Sequence, residues 1–437
     1  MTTYFGLKEI GSSLIILEGV DSPVYDEIVE IALPGGQVRT GRVIQILEEY
    51  VIILVFEGTH NFSLSNTCTR FTGRPMELSL SMEILGRIFD GMGRPIDNLG
   101  PIYSTVSKPI SGQAINPVLR IYPQNYIHTG ISAIDGLATL IRGQKLPIFS
   151  GDGLPHDRLA AQIARQAALG ENKNRENFAI VFAAMGVKHD VADYFRRSFE
   201  ESGGAGRTVM YLNLADDPAV ARIITPRVAL TAAEYLAFDR EMHVLVILTD
   251  MTAYAESLRE ITSARGEIPS RKGYPGYLYS DLASIYERAG LKKGCRGSLT
   301  QIPILTMPSD DITHPVPDLT GYITEGQIVL DRSLHGRGIY PPINVLPSLS
   351  RLMKDGIGKG RTREGHAELS NRLFAAYAQV GDARALASVI GAEELSDEDK
   401  RLMEFGRRFE AEFVGQGMYE SRGLYQTLDM GAGMLDI

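Results

Sequence analysis

The segment Ile148-Phe149-Ser150-Gly151-Asp152-Gly153-Leu154-Pro155-His156-Asp157-Arg158 indicates how the chain is built. It overlaps an apolar run, residues 146–149, and it precedes a stretch with Leu159, Ile163 and Ala167 on one helical face. A buried strand that leads through a glycine-containing loop into a helix is the unit that carries phosphate-binding loops. We therefore expect a parallel α/β domain of the nucleotide-binding type, with this loop at the carboxyl ends of its strands.

The loop nevertheless lacks the groups that bind Mg-ATP in the consensus G-x-x-x-x-G-K-[ST]. With Gly151 on the first glycine, Asp157 replaces the lysine and Arg158 replaces the hydroxyl residue that holds Mg²⁺. Two like charges about 4 Å apart repel by several kcal/mol even at an effective dielectric constant near 20. Pro155 also removes one N–H donor. We predict a degenerate site, built by Gly151, Gly153, Asp157 and Arg158, that binds nucleotide weakly or not at all. The loop alone is equally compatible with a plain strand–turn–helix connection.

A second motif supports the first. Residues 242–250 (MHVLVILTD) form a buried-type strand that ends in Asp250, the form of a Walker B strand, whose acid holds Mg²⁺ or its water in phosphoryl-transfer sites. Further apolar runs at residues 178–183, 209–214 and 302–307 alternate with amphipathic stretches. This alternation predicts a RecA-like core, a parallel sheet covered by helices on both faces.

The flanking regions have different patterns. Short β-rich runs separated by turns, such as residues 37–44 and 50–56, predict a small N-terminal β-barrel over residues 1–77. The RecA-like α/β domain is then expected over residues 78–350. Beyond it, Leu402, Phe405, Phe409 and Phe413 follow helical spacing after a capping box that begins at Ser396. We predict a C-terminal α-helical domain over residues 351–437.

Composition restricts the function classes. The chain has 437 residues, with 44% apolar residues and a formal net charge of −9, which argues against nucleic acid as the main partner. No apolar run approaches the roughly 20 residues of a membrane-spanning helix, and residues 1–7 do not read as a signal peptide. The histidines, among them His128, His156, His189 and His314, have no repeating spacing; we interpret them as surface or capping residues and predict no metal site. Two cysteines fit a reducing compartment.

Several longer strings resemble the B subunit of V/A-type rotary ATPases, over nearly the whole chain. They are residues 142–151 (RGQKLPIFSG), 153–156 (GLPH), 181–186 (VFAAMG), 248–252 (LTDMT), 271–277 (RKGYPGY), 318–328 (DLTGYITEGQI) and 346–352 (LPSLSRL). The resemblance implies a non-catalytic subunit that alternates with catalytic A subunits, three of each, around a central stalk and beside a peripheral stalk. It implies no cofactor of the chain's own, but ATP or ADP with Mg²⁺ at the interface with the catalytic subunit, and no activity alone.

The same resemblance assigns roles to individual residues. Arg351 takes the role of an arginine finger offered in trans to the neighbouring subunit. Tyr322 and Glu325 match interface positions, and Tyr322 joins Gly151, Gly153, Asp157, Arg158 and Asp250 as a candidate nucleotide contact. The complex would lie in the cytoplasm, peripheral to the membrane, and couple ATP hydrolysis or synthesis to H⁺ or Na⁺ transport.

The sequence differs from the family pattern in two respects, and two other functions are alternatives to the one that the resemblance implies. The family usually has a small neutral residue where Asp152 stands, and its members continue for some tens of residues past residues 434–437, so we expect either that contacts to the rotor are incomplete here or that the sequence is shortened. A free-standing RecA-like hexameric motor, such as a helicase or a secretion ATPase, is the alternative from another class; it would need the lysine and hydroxyl that Asp157 and Arg158 replace. A pure scaffold is the other, against which Arg351 argues.

Overall fold

The computed structural model describes residues 3–170, 177–201 and 205–435. Asp436 and Ile437, at the end for which incomplete rotor contacts were expected, lie outside the described residues. In chain order the structure has an antiparallel β-region, a mixed sheet covered by helices, and a helical C-terminal region. This order confirms the predicted fold class.

The N-terminal region is an antiparallel sheet that closes on itself. Its strands are β1 (Thr3–Phe5), β2 (Glu9–Ile10), β3 (Leu14–Glu18), β4 (Glu27–Ala32), β5 (Val38–Ile46), β6 (Tyr50–Val55) and β7 (Cys68–Pro75). Alternation of buried and partly exposed residues along β4 directs Val29 and Ile31 into the barrel core. The order is β1-β7-β4-β5-β6-β3-β2. Because β1 pairs with β7 and β2 pairs with β3, residues 3–10 join the two edges and close the barrel.

A connecting region leads from the barrel to the central sheet. It contains the paired strands β8 (Glu77–Leu80) and β10 (Val106–Pro109), and β9 (Ile88–Asp90), which joins the edge of the central sheet beside β14 (Thr208–Leu214). Arg87 and Asp97 form a buried ion pair at this edge, with Nε and Oδ2 2.6 Å apart. The side-chain hydrogen bond from Arg87 outweighs desolvation and lowers the pKa of Asp97 to about 2.

The central sheet has the order β19-β18-β12-β17-β15-β13-β14-β9. Its other strands are β11 (Arg120–Ile121), β12 (Ile148–Gly151), β13 (Phe178–Val187), β15 (His243–Thr249), β16 (Gly290–Lys292), β17 (Ser298–Met307), β18 (Gly326–Leu330) and β19 (Ile343–Ser350). The strands from β18 to β9 are parallel, whereas β19 pairs with β18 in the antiparallel direction. Strands β12 and β15 are buried along nearly their whole lengths, as expected for a sheet covered on both faces.

Helices cover both faces of this sheet. They are α1 (Ser132–Leu137), α2 (His156–Gln166), α3 (His189–Glu201), α4 (Ala219–Glu234), α5 (Met251–Ala264), α6 (Leu278–Tyr286), α7 (Pro315–Ile323), α8 (Arg332–Gly336) and α9 (Met353–Gly356). One apolar cluster packs α4, α5 and α6 against one face, and another packs α2 and α3 against the opposite face. Leu159 and Ile163, predicted on one face of the helix after the loop, are fully buried in α2.

The C-terminal region consists of α10 (His366–Ile390), α11 (Asp397–Arg408) and α12 (Leu424–Leu435), and α11 continues into a π-helical segment, Phe409–Val414. The rings of Phe405, Phe409 and Phe413 stack in succession, and the predicted cap is present, since Ser396 Oγ accepts from the N–H of Asp399 at 3.1 Å.

A buried carboxylate, Glu410, ties this region to the segment after α8. It accepts hydrogen bonds from Tyr377 Oη at 2.6 Å, from Arg384 Nη1 at 2.8 Å, and from Arg337 Nη2 at 3.1 Å. Tyr377 and Arg384 belong to α10, whereas Arg337 directly follows α8. The side chain of Glu410 therefore fastens the C-terminal helices to the central domain.

Candidate functional site

The predicted loop lies where the consensus requires it, between the end of β12 and the start of α2. Gly153 has a positive φ of 76°, a conformation that glycine adopts without strain. Gly151 is needed for another reason, because a β-carbon there would lie 2.0 Å from the Asp310 carboxylate. That carboxylate is held by Arg332, whose Nη2 also donates to the carbonyl of Asp152 at 2.8 Å. An internal ion pair thus braces the first residues of the loop.

Asp157 brings a negative charge into the first turn of α2. Burial raises its pKa; His156, 3.6 Å away, lowers it, while the carboxylates of Asp250 and Asp190 raise it further. Its surroundings therefore disfavour the ionised form and contain no lysine in the position that would balance a phosphate. The neighbouring Arg158 is exposed.

Asp250 lies at the carboxyl ends of the parallel strands, as the loop does. It follows β15 and caps α5, with its Oδ1 accepting from the N–H of Thr252 at 2.8 Å and from the N–H of Thr306 at 3.1 Å. Thr306 precedes Met307, the residue of β17 that pairs with Gly151. The predicted loop and the predicted acid are therefore one strand apart, as in RecA-like sites.

These residues do not fit Mg-ATP. The position of the lysine holds the Asp157 carboxylate, the position of the magnesium-binding hydroxyl holds the Arg158 guanidinium, and one oxygen of Asp250 is already used by two backbone N–H groups. Pro155 supplies no N–H to the loop. The architecture of a phosphate-binding loop is present, but its charges are arranged against a phosphate chain.

Arg351 lies at the opposite end of the parallel strands, away from the loop and Asp250. The residue follows β19, which runs antiparallel to β18 and pairs Ser350 with Gly326 at the amino end of β18. Since Ile148 of β12 pairs with Ile328, Gly151 and Arg351 are separated by about six residues along the strands, or about 20 Å. Arg351 is exposed, and its guanidinium makes no hydrogen bond or ion pair to any residue that the structure describes.

The backbone of Arg351 is fixed although its side chain is free. Its N–H donates to the carbonyl of Glu325 at 2.9 Å. The same carbonyl accepts from Gln144 Nε2 at 3.0 Å, and Gln144 Nε2 also donates to Ser350 Oγ at 2.9 Å. Lys145 binds the Glu325 carboxylate through its N–H at 2.8 Å and through its Nζ at 2.9 Å. We call Gln144, Lys145 and Glu325 the Arg351 anchor.

Comparisons with known proteins show the family to which the chain belongs. Residues 130–350 match the family described as the ATP synthase alpha/beta family, nucleotide-binding domain, and residues 355–437 match the C-terminal domain of V and A type ATP synthase. The chain is 60% identical over 434 residues to V-type ATP synthase beta chain 2 of Clostridium tetani, covering 99% of this chain and 94% of the relative. It is 57% identical over 435 residues to the B subunit of the A-type ATP synthase of Aeropyrum pernix, covering 99% and 93%. The chain belongs to the V/A-type ATP synthase B-subunit family.

The fold of this B-subunit chain is also similar to that of a solved structure. The ATP synthase subunit NeqB from Nanoarcheaum equitans superposes with a TM-score of 0.76 at 40% sequence identity, covering 94% of this chain and 98% of that chain. The family resemblance inferred from the sequence is thereby confirmed. Within the residues that the structure describes, no helix of this B-subunit chain combines the length and the hydrophobicity that crossing a bilayer requires.

Other predicted residues of this B-subunit chain are placed as follows. Tyr322 is 73% exposed in the last turn of α7, next to the amino end of β18, so it lies with Arg351 and not with the degenerate loop. The interpretation of the histidines as surface or capping residues is wrong for His128, which is only 6% exposed; His314 is equally buried but stands at the N-cap position of α7. His314 follows the loop after β17, and burial lowers its pKa.

The sequence analysis missed Gln144 and Lys145 as members of a site. Both lie in the string that supported the family resemblance, yet they were not assigned a role. Their exposed fractions are 0% and 3%. The available signal was two consecutive polar residues placed directly before an apolar strand, since buried polar side chains need partners.

Proposed function

We propose that this chain is the non-catalytic, regulatory B subunit of an ion-translocating rotary ATPase. It would alternate with catalytic A subunits in a ring of three and three, and contact central-stalk and peripheral-stalk subunits. In that ring it would complete the ATP sites of its neighbour with Arg351, with ATP or ADP and Mg²⁺ held at the shared interface. The complex would lie on the cytoplasmic side of a membrane and couple ATP turnover to H⁺ or Na⁺ movement.

The observation that carries this proposal is the separation of Arg351 from the chain's own loop. A guanidinium about 20 Å from Gly151 along the strands cannot act on phosphates bound at that loop. It is exposed and unpaired within the described part of the chain, so it is available to bind a group on another molecule. A neighbouring subunit that presents phosphates at this end of the strands would supply such a group.

An arginine suits this role because its charge is permanent and its planar group carries five N–H donors. Directed at phosphate oxygens from a fixed position, such a group stabilises the charge that develops during phosphoryl transfer more than it stabilises the ground state. In other phosphoryl-transfer systems a finger of this kind contributes roughly 10³–10⁵ in rate. The chain's own loop has no lysine to neutralise a phosphate chain, since Asp157 stands in that position, and its Arg158 replaces the hydroxyl that would hold Mg²⁺.

The test is turnover by a complex reconstituted from this chain and a catalytic subunit. We expect Arg351→Ala to lower turnover by roughly 10³-fold or more, with a smaller loss of nucleotide affinity and normal assembly. Arg351→Lys should restore little, because a point charge lacks the planar fork. The matched control is Arg74→Ala, since Arg74 is an exposed arginine of the barrel region.

Two results would contradict the proposal. The first is near-complete turnover by an assembled Arg351→Ala complex. The second is ATP turnover by the isolated chain that Asp250→Ala abolishes, which would favour a free-standing RecA-like motor. Weak nucleotide binding by the isolated chain would not distinguish the two, because backbone N–H groups of the loop remain available.

A further inference from the structure

The residues beneath Arg351 form a more elaborate arrangement than the end of a strand needs. Every polar group of Glu325 that could hold it in place is engaged: its N–H donates to the Lys145 carbonyl at 3.1 Å, and its carbonyl accepts from Gln144 and from Arg351. Both carboxylate oxygens bind Lys145. Glu325 is therefore fixed at each of its hydrogen-bonding positions.

Gln144 is the central member of the anchor. Its side chain is fully buried. The two amide hydrogens go to the Glu325 carbonyl and to Ser350 Oγ, and Oε1 accepts from the N–H of Ile141 at 2.9 Å. Because Ser350 ends β19 and the Glu325 carbonyl accepts the Arg351 N–H, one buried amide holds both the end of the strand that precedes Arg351 and the group to which Arg351 is bound.

The positive charge of the buried Lys145 is balanced by two carboxylates, those of Glu287 and Glu325. Lys145 is 3% exposed, and its Nζ lies 2.6 Å from Glu287 and 2.9 Å from Glu325. Arg120 also binds Glu287, at 2.8 Å. A buried ammonium is costly unless it is paired, so these contacts restrict where Glu325 can lie. The free guanidinium of Arg351 thus extends from a backbone that has little freedom to move.

We propose that Gln144, Lys145 and Glu325 are positioning residues for Arg351. This inference rests on the function proposed above. The anchor would hold the Arg351 backbone, so that only the side chain has to be ordered when the guanidinium reaches the phosphates on the neighbouring subunit. In this arrangement the entropy of fixing the backbone is lost during folding and not during each turnover.

The first experiment measures the isolated chain, without any nucleotide or partner. Gln144→Leu keeps the bulk of the side chain but removes both N–H donors. We expect faster amide hydrogen exchange in peptides that contain Ser350 and Arg351, because the strand end loses a hydrogen-bonded support. Gln162→Leu is the matched control: Gln162 is also fully buried and donates to two carbonyls, those of Gly417 and Glu420, but it does not touch the anchor.

The second experiment measures turnover of the reconstituted complex. We expect Gln144→Leu to lower kcat by about 10- to 100-fold, as small misplacements of a catalytic group do, with KM little changed. In the Arg351→Ala background the same substitution should have no additional effect, because the group that it positions is gone. Glu325→Gln, which retains size and backbone but loses charge, should give a smaller loss, and it serves if Gln144→Leu does not fold.

The outcomes separate the two proposals. Unchanged exchange at Ser350 and Arg351 in both anchor variants would overturn the anchor and leave the role of Arg351 standing. A kcat loss of equal size in the wild-type and Arg351→Ala backgrounds would also overturn it, since that result indicates general destabilisation. If Arg351→Ala itself keeps full turnover, the proposed function fails, while the exchange result still decides whether the anchor orders this strand end.

Discussion

Glu410→Gln should weaken the attachment of the C-terminal helices to the central domain by a predictable amount. Glu410 is only 3% exposed, whereas its partners Arg337 and Arg384 are 46% and 36% exposed. Burial alone would raise the pKa of Glu410, but hydrogen bonds from Arg384, Arg337 and Tyr377 outweigh it and lower the pKa from 4.5 to about 2. The glutamine retains the shape of the side chain but not its charge.

The magnitude follows from that pKa. One pH unit corresponds to about 1.4 kcal/mol, so the difference between 4.5 and about 2 corresponds to about 3 kcal/mol of stability at neutral pH. Because both arginines reach water, solvent screening reduces this value, and we expect a loss of about 2 kcal/mol. Since the folded pKa lies below the unfolded one, this stabilisation is complete above about pH 4.5 and is lost as the pH falls toward about 2.

The assay is hydrogen exchange of α10 and α11 during urea titration, which reports the free energy of opening this region. Glu410→Gln should lower that free energy at pH 7, and the difference from the wild type should shrink below about pH 4.5. Glu404→Gln is the matched control, because Glu404 is an exposed acid of α11 paired with Arg407; we expect no measurable change. Equal stability of Glu410→Gln and wild type at pH 7, or a difference independent of pH, would refute the reasoning.

Two further predictions concern the loop and the assembly. Asp157→Asn should raise the urea midpoint of unfolding at pH 7, because burial raises the pKa of Asp157 and ionisation of this carboxyl therefore opposes folding. The gain in stability should disappear as the pH falls below the ordinary aspartate pKa of 3.8. An unchanged midpoint at pH 7 would contradict this prediction. Native mass spectrometry of this chain co-expressed with a catalytic partner should show equal numbers of both chains, whereas a stable homo-hexamer without affinity for the partner would argue against the alternating ring.

Much of the architecture could be predicted because it depends on local periodicity. The apolar runs around Phe149 and Val246, each followed by a helical pattern, are sufficient to predict β12–α2 and β15–α5. Because such strands are parallel, Gly151 and Asp250 are both expected at the carboxyl ends of the strands. Even so, the strand at the loop begins at Ile148 and ends at Gly151, which is later than the apolar run of residues 146–149 suggested.

The remaining features depend on contacts between distant residues. Gln144 is 181 residues from Glu325 and 206 residues from Ser350 in the sequence, so no local pattern predicts the anchor. The antiparallel direction of β19 also depends on long-range pairing, and it is what carries Arg351 away from the degenerate loop. The burial of His128 and His314 has the same cause, since a single histidine has no periodic signal.

Closure of the N-terminal barrel by residues 3–10 has a consequence for biosynthesis. Thr3 pairs with Arg70, so β1, which is translated before β7, has no partner on that side until β7 has been made. Until then β1 and β4 expose strand edges that neighbouring chains could pair with. Bulky tags fused directly before Thr3 would obstruct the pairing of β1 with β7. We expect such tags to increase aggregation during expression more than they alter the folded structure.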